Sequence, residues 1–554
     1  VDRNFFLAMG LSFAVLVLWT VWSESQKPPE PPPGASAPAA QEPAESAAPK
    51  PGSSSELAPL EAVTPPPGPA EPQRDPEERL RVRTELVDAE FSSWGGGLVR
   101  WSLLHYDDPS QPGRPLVEIT TLGPDDAIAL ATAFADLGQG DLSHASYRAE
   151  QPDPKTLVFT HERNGLRIRK TYLFDDGYAL RLRLELENGS AASVSSSFIV
   201  NWPVALRESA DFTEYSVAAF GDGELANYFV AAPPAFLGMG PGAADEPASH
   251  TGNVDWGGAH TRYFLAALLP DNPRDASARF TPTLPGRLAT LELGFARAEL
   301  PPGGRLDREY RLYLGPKEPD RLDAMGAHLD EAIQKGWFPS LTRFFTWLLT
   351  ATHSIVPNYG VAIILITIVV RLLMAPLMAR QMKSMKRMSV LQPRMKEIQE
   401  KYPDDRQKQS EAMMALYREA GVNPLSMMTG CLPMFLQLPV FIGFYYALQG
   451  AIQLRQQPFV AWIDDLSMPE ALFVIPGIEL PVRLLPILMG ASMVLQQKLT
   501  PTTMDPAQAR VMLTVMPVMF TVMFYQFASG LVLYWFVSTL LGIGQQVLTN
   551  RGKS

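Results

Sequence analysis

At 554 residues the chain exceeds one ordinary domain, and its charge is divided: residues 331–554 carry 19 Lys/Arg against 12 Asp/Glu, and residues 1–330 carry 28 against 46. An acidic half of net −18 joined to a basic, apolar, Met-rich half of net +7 fits a membrane protein with a large extramembrane domain and argues against direct binding of nucleic acid. The single cysteine, Cys431, excludes a disulfide framework and structural zinc of the cysteine type.

Residues 1–23 read as a first transmembrane helix. Arg3 precedes the apolar run Phe5–Trp22, and the bulky Leu18-Trp19-Thr20-Val21-Trp22 lacks a small-x-small cleavage site; a signal peptide is the alternative. Residues 24–75 are a Pro/Ala-rich linker with too little apolar side chain to offset ordering entropy, and are expected to be disordered.

Residues 76–317 are expected to form a large antiparallel β-sandwich. From about Thr84 to Leu314 the periodicity is two, clearest where Leu180, Leu182, Leu184 and Leu186 alternate with charged residues. Further strands are predicted at Thr156–Thr160, Leu166–Phe174, Val194–Val200, Thr261–Leu268, Leu288–Leu293 and Glu309–Leu314, several separated by turns such as Asn164-Gly165 and Asn188-Gly189. Residues 318–353 connect this domain to the rest. A helix at Pro319–Lys335 carries the stripe Leu322, Met325, Leu329 and Ile333, and the amphipathic Trp337–His353 suits a helix lying on the membrane, with a further span as the alternative.

Residues 354–554 read as a polytopic α-helical membrane core. Spans are predicted at about 359–377, 423–448, 484–496, 511–527 and 531–548, which makes six with the first helix. Several are short or broken by Pro433, Pro439, Pro486 and Pro517, which is tolerated where freed carbonyls meet protein or a wet cavity. Between the first two of these spans, 379–420 forms a helical hairpin, Lys383–Lys401 and Arg406–Ala420, broken at Tyr402-Pro403-Asp404-Asp405. Its ten Lys/Arg place it in the cytoplasm. Both termini then fall in the cytoplasm and the β-domain on the opposite side.

Arg371 lies inside the stretch Tyr359–Leu377, and a guanidinium keeps its proton, so it must be solvated where it stands. It is six residues from Leu377, about 9 Å of helix, and could snorkel to the headgroups. The alternative is a water-filled pocket open to the cytoplasm, with Thr367 one turn earlier and Gln437, Gln496 and Gln545 as further lining. Met374, Met378, Met382, Met385 and Met388 continue one helical face into the hairpin. That stripe is either packing or an adaptable surface for varied apolar clients. The seven histidines are scattered, and there is no phosphate-binding glycine loop, HExxH or GxSxG. No enzyme, metal or cofactor is expected, although a tethered sugar-active enzyme and a channel or secondary transporter stay open as alternatives.

Several local motifs carry a resemblance. Ile366-Thr367-Ile368-Val369-Val370-Arg371, Leu391-Gln392-Pro393, Met413-Met414-Ala415-Leu416-Tyr417, Val422-Asn423-Pro424-Leu425, Leu454-Arg455-Gln456, Trp462-Ile463-Asp464-Asp465-Leu466, Pro501-Thr502-Thr503 and Ser529-Gly530-Leu531-Val532-Leu533-Tyr534-Trp535 occur in order through residues 337–551. They resemble the YidC/Oxa/Alb membrane insertases, and the first helix, linker, β-domain and Gly315-Pro316-Lys317 resemble the Gram-negative form. Tyr534-Trp535 departs mildly, since two tyrosines are commoner there. The resemblance implies an inner-membrane insertase and chaperone for newly made membrane proteins, acting alone or with the Sec translocon. The ribosome and the signal recognition particle receptor are further implied contacts. Its core would be five helices around a hydrophilic groove, closed to the periplasm. Arg371 would be the groove arginine, with Thr367 and Gln437 beside it. Tyr534 and Trp535 would meet departing client helices, and Met382, Met385 and Met388 would touch clients at the hairpin. The β-domain resembles sugar-mutarotase folds with no active site carried over.

Overall fold

A computed structural model describes residues 76–551 apart from 109–112, 122–127, 135–139, 143, 206–214, 232–246, 285–287, 337, 404, 421–431, 478–479 and 501–505. The first helix and the linker therefore lie outside the described residues, as does the first part of the 423–448 span. Two compact units are present. One runs up to Thr350 and includes Pro439–Arg455; the other comprises Ala351–Leu438 and residues from Gln456 onward.

The first unit is built from antiparallel sheets. The nine-stranded sheet runs, edge to edge, Glu224–Ala231, Tyr215–Gly221, Val254–Thr261, Phe264–Pro270, Arg305–Pro316, Ala179–Asn188, Leu166–Phe174, Thr156–Arg163 and Arg148–Asp153. A six-stranded sheet has the order Ala248–Thr251, Ala276–Leu284, Leu288–Leu300, Val194–Ala205, Ala131–Phe134 and Gly140–Asp141. A four-stranded meander, Arg79–Arg83, Val87–Ser92, Gly97–Asp107 and Leu116–Thr121, completes the set.

Alternation decides which face is buried. Leu180, Leu182, Leu184 and Leu186 are all at most 2% exposed, whereas the intervening Arg183 forks onto Asp307 of the neighbouring strand with Nε–Oδ1 at 2.9 Å. Buried aromatic side chains join the sheets. Phe198 and Phe295 of the six-stranded sheet meet Tyr310 of the nine-stranded one, and Trp101 of the meander stacks on Phe174 and donates to the Leu314 carbonyl. Gly258 is required where two strands cross closely, because a Cβ there would strike the Ala266 carbonyl.

The strands extend further than their hydrophobic pattern suggests. Predicted Thr261–Leu268 is in fact the end of one strand and most of the next, joined by a turn at Arg262-Tyr263. The expected helix Pro319–Lys335 is also interrupted. Helix α1 (Pro319–Met325) stops at Gly326, whose φ of 71° is available to glycine, and a short 3₁₀ turn, Leu329–Ala332, follows. Lys317 pins that turn. Its buried Nζ donates to the Ala332 carbonyl at 2.8 Å and to His260 Nδ1 at 2.9 Å. His260 Nε2 is then the protonated nitrogen and donates to Asn227 Oδ1 at 3.2 Å. Burial, together with the Lys317 charge, holds the His260 imidazole well below its ordinary pKa.

Helix α2 (Pro339–Ile355) matches the amphipathic segment; Phe345 and Leu349 are buried while Trp347 and Phe344 are exposed. Helix α3 (Tyr359–Lys401) is continuous through 43 residues, so the Arg371 span and the first arm of the hairpin are one helix. Helix α4 (Arg406–Glu419), capped by Asp405, forms the second arm. Helix α5 (Leu432–Gly450) follows, and its second half packs on α2 through Phe444 and Phe345, with ring centroids 5.2 Å apart. Helices α6 (Leu484–Leu499), α7 (Pro506–Phe524) and α8 (Ser529–Arg551) complete the chain. Among the described residues, Tyr359–Ala379 and Ser529–Leu548 are long and apolar enough to cross a membrane, while α6 and Leu513–Phe524 are apolar but shorter.

Candidate functional site

The site is built where α3 and α8 start together. Asn358 caps α3 by accepting from the Val361 amide at 3.0 Å, and its Nδ2 donates to the Phe459 carbonyl at 3.2 Å. The Ser529 amide donates to Met468 O at 2.8 Å, the Gly530 amide to Leu466 O at 2.9 Å, and the Ser529 hydroxyl to Asp465 O at 2.8 Å. The segment Phe459–Met468 thus accepts from the Asn358 side chain that caps α3 and from the first backbone amides of α8. Two glycines permit the approach: a Cβ on Gly360 would collide with the Phe459 ring, and one on Gly530 would lie 3.0 Å from Leu466 O.

Between about one and four turns into α8, polar and small residues recur at helical spacing. Tyr534, Ser538, Gly542 and Gln545 form a stripe on a largely apolar helix. Arg371 of α3 is half-buried and donates from Nε to Ser538 Oγ at 2.9 Å. Gln437 of α5 reaches the same hydroxyl at 3.5 Å and also hydrogen-bonds Tyr534, whose phenol is buried. Gly542 leaves room beside the guanidinium: a Cβ there would stand 3.8 Å from Arg371 Nη1 and 2.7 Å from Gln496 Nε2 of α6. Gln545 Nε2 donates to the Ala375 carbonyl at 3.0 Å. Four helices therefore converge on one guanidinium with a hydroxyl as its hydrogen-bond partner. A hydroxyl orients the charge but does not neutralise it, so the arrangement suits an anionic or strongly polar visitor.

Of the residues singled out in the sequence, Arg371, Gln437 and Tyr534 come together. Thr367 is buried on the same helix, but its hydroxyl donates to Ile363 O at 2.6 Å, within its own backbone ladder. Trp535 turns to α7 and packs against Phe520 and Phe524, with centroids 5.8 and 5.1 Å away; adjacent helical positions face different neighbours. Met382 is half-buried on α3, and Met385 and Met388 lie on the same helix with side chains outside the described residues. Ser538 was missed by sequence reasoning. Its spacing of four from both Tyr534 and Gly542 was the available signal.

A helical unit with apolar helices long enough to cross a bilayer, a cation among them and a separate β-rich unit defines a class of integral membrane protein with a large extramembrane domain. Residues 351–554 match the family described as 60Kd inner membrane protein, and residues 79–348 match the YidC periplasmic domain. A membrane protein insertase YidC of Pelobacter propionicus is 35% identical over 494 residues, 87% of this chain and 88% of that one. The corresponding protein of Syntrophus aciditrophicus is 34% identical over 574 residues, 99% of each. The chain belongs to the YidC family of membrane protein insertases, with an inner-membrane helical unit, a YidC periplasmic domain and membrane-protein clients; it is an insertase and not an enzyme. A solved active YidC insertase aligns with 85% of this chain and 92% of its own length at 18% identity and a TM-score of 0.35. A galactose mutarotase related enzyme from Lactobacillus acidophilus aligns with 43% of this chain and 97% of its own at 11% identity and a TM-score of 0.30. Superpositions this loose carry no argument.

Proposed function

We propose that insertion proceeds through a hydrophilic groove around Arg371, open to the cytoplasm and to lipid. The observation that supports this reading is the Arg371–Ser538 contact, which leaves a positive charge among apolar helices with a hydroxyl partner. A client's polar or acidic flank would be solvated there while its apolar helix leaves into lipid, so that burial of apolar surface drives the reaction. Thr367, Gln437 and Tyr534 line the groove, Trp535 stands where client helices depart, and Met382, Met385 and Met388 receive clients at the hairpin. Six spans put both termini and the 379–420 hairpin in the cytoplasm and the 76–317 sandwich in the periplasm. Residues 1–23 are the first span, 24–75 the linker, 318–353 the connector and 354–554 the core. The short helices α6 and α7 favour a thinned bilayer and a shorter polar crossing. The insertase acts alone or with the Sec translocon, and the ribosome and the signal recognition particle receptor are further partners for clients delivered during synthesis.

Site-specific photo-crosslinkers at 367, 371 and 535 test the groove with stalled nascent chains. Adducts to the client's polar flank at 371 and to its apolar helix at 535 are expected. Adducts to lipid alone at all three positions contradict the groove.

A further inference from the structure

Between α5 and α6 lies a two-stranded hairpin, Phe473–Ile475 paired with Leu480–Val482, that the groove does not use. Leu472, Phe473, Val474 and Leu480 are 42%, 54%, 52% and 48% exposed. Consecutive strand residues point to opposite sides, so this ribbon shows apolar side chains on both faces. A lone two-stranded ribbon is marginal in water, and a contiguous exposed apolar patch marks an interaction surface. From residue 471 to 482 the sequence holds one ionisable side chain, Glu479.

The hairpin's place in the fold says what covers it. The segment just before it holds the N-termini of α3 and α8 through Phe459, Leu466 and Met468, so it belongs to the end of the bundle where both membrane-length helices begin. Arg483 leads directly from the hairpin into α6, and the Glu470 carboxylate accepts from the Leu485 amide at 2.7 Å. The Tyr525 hydroxyl, just past α7, donates to the Pro481 carbonyl, and Arg483 donates back to the Tyr525 carbonyl. The guanidinium lies 4.9 Å over the Tyr525 ring. Tyrosine and arginine at helix ends are the side chains that anchor at a membrane–water boundary. Beyond the hairpin the apolar exposure continues on Ile487, Leu488 and Leu495 of α6 and on Val515, Val518 and Val522 of α7.

We infer that the 472–482 hairpin lies in the bilayer interface, on the side where α3 and α8 begin, with lipid against both faces. It anchors the α6–α7 pair at a fixed depth. A protein partner would cover one face of so narrow a ribbon, whereas the headgroup–acyl boundary wets both. The inference rests on the membrane reading of the helical unit.

The test uses the full chain with Cys431→Ser, reconstituted in phosphatidylcholine–phosphatidylglycerol vesicles. An environment-sensitive fluorophore is placed singly at Val474→Cys, at Leu488→Cys on α6, or at Asp176→Cys, whose side chain is 97% exposed. Nitroxide lipids should quench the 474 label about threefold more than the 176 label, with iodide showing the reverse order. Iodide quenching at 474 equal to that at 176 overturns the inference. So does shielding of 474 from both quenchers, which signals protein cover. If the 488 label also escapes nitroxide lipids, the membrane placement of α6 fails and the hairpin's placement falls with it.

Discussion

The Arg371 side chain donates from Nε to the Ser538 hydroxyl at 2.9 Å, tying α3 to α8 inside the helical unit. The two residues stand 12 and 9 positions from the first residues of their helices, Tyr359 and Ser529. At about 1.5 Å per residue both lie at similar depth, because the loop holding both N-termini sets the register. A serine at this place fixes the direction of the guanidinium and leaves its charge available.

That relationship separates charge from packing. Ser538→Ala removes one hydrogen bond to a charged group, a loss of about 2 kcal/mol, and should lower the thermal midpoint while insertion of acidic clients persists. Ser538→Asp should do the opposite, strengthening the α3–α8 tie while neutralising Arg371 and suppressing acidic clients. Thermal unfolding in detergent and client insertion into vesicles, measured on the same preparations, give the two readouts.

Gly542 keeps the space beside Arg371 open. Gly542→Ala places a methyl group against the flexible end of Gln496, which can shift, so insertion should stay within about twofold of the parent. Gly542→Leu fills the space and should reduce insertion by about tenfold or more, a rise of about 1.4 kcal/mol or more in the barrier. The initial rate of insertion of one client by both variants checks the difference.

The helical unit was legible because its signals are local. The breaker Tyr402-Pro403-Asp404-Asp405 matches the end of α3 at Lys401 and the start of α4 at Arg406. Leu166–Phe174 is predicted and observed with the same limits. Strand Arg79–Arg83 was less legible, since its alternation of apolar and charged residues lasts only five positions; its Arg79 and Arg81 pair outward with Glu90 and Asp88. The sheet order was hidden for another reason: it pairs Phe264–Pro270 with Arg305–Pro316 across the intervening strands, which a one-dimensional pattern does not encode. At the site, Arg371 stood out because a charge in an apolar run is costly, whereas Ser538 has a mild residue type and shows itself through helical spacing and three-dimensional contact.

The periplasmic unit should be acid-sensitive through His260. The unfolded chain takes up a proton there near pH 6.5, and the folded unit, with the imidazole buried beside Lys317, resists it. Stability is therefore full above about pH 6.5 and falls below it, by up to about 1.4 kcal/mol per pH unit until the folded site also protonates. His260→Gln retains an acceptor for Lys317 and should flatten that slope. Urea unfolding of the full chain between neutral and mildly acid pH, followed by fluorescence, checks the sign.

Gly258→Val should test whether the periplasmic unit is needed for insertion. Its side chain would strike backbone of Ala266 and Ala267, which cannot give way as a side-chain tip could, at a cost of about 3 kcal/mol. Proteolysis of the β-rich unit should accelerate while insertion through the helical core persists. Deletion of most of residues 84–314 should likewise spare the core.

The most direct test of the central claim compares two clients that differ in the charge of the translocated segment alone, one acidic and one uncharged. Insertion into vesicles holding the parent protein or Arg371→Ala is followed by protease protection. Loss of the acidic client with the uncharged one largely retained is the predicted result. Equal loss of both clients would show that Arg371 serves packing or snorkels to the headgroups, and would contradict an electrostatic role for the groove.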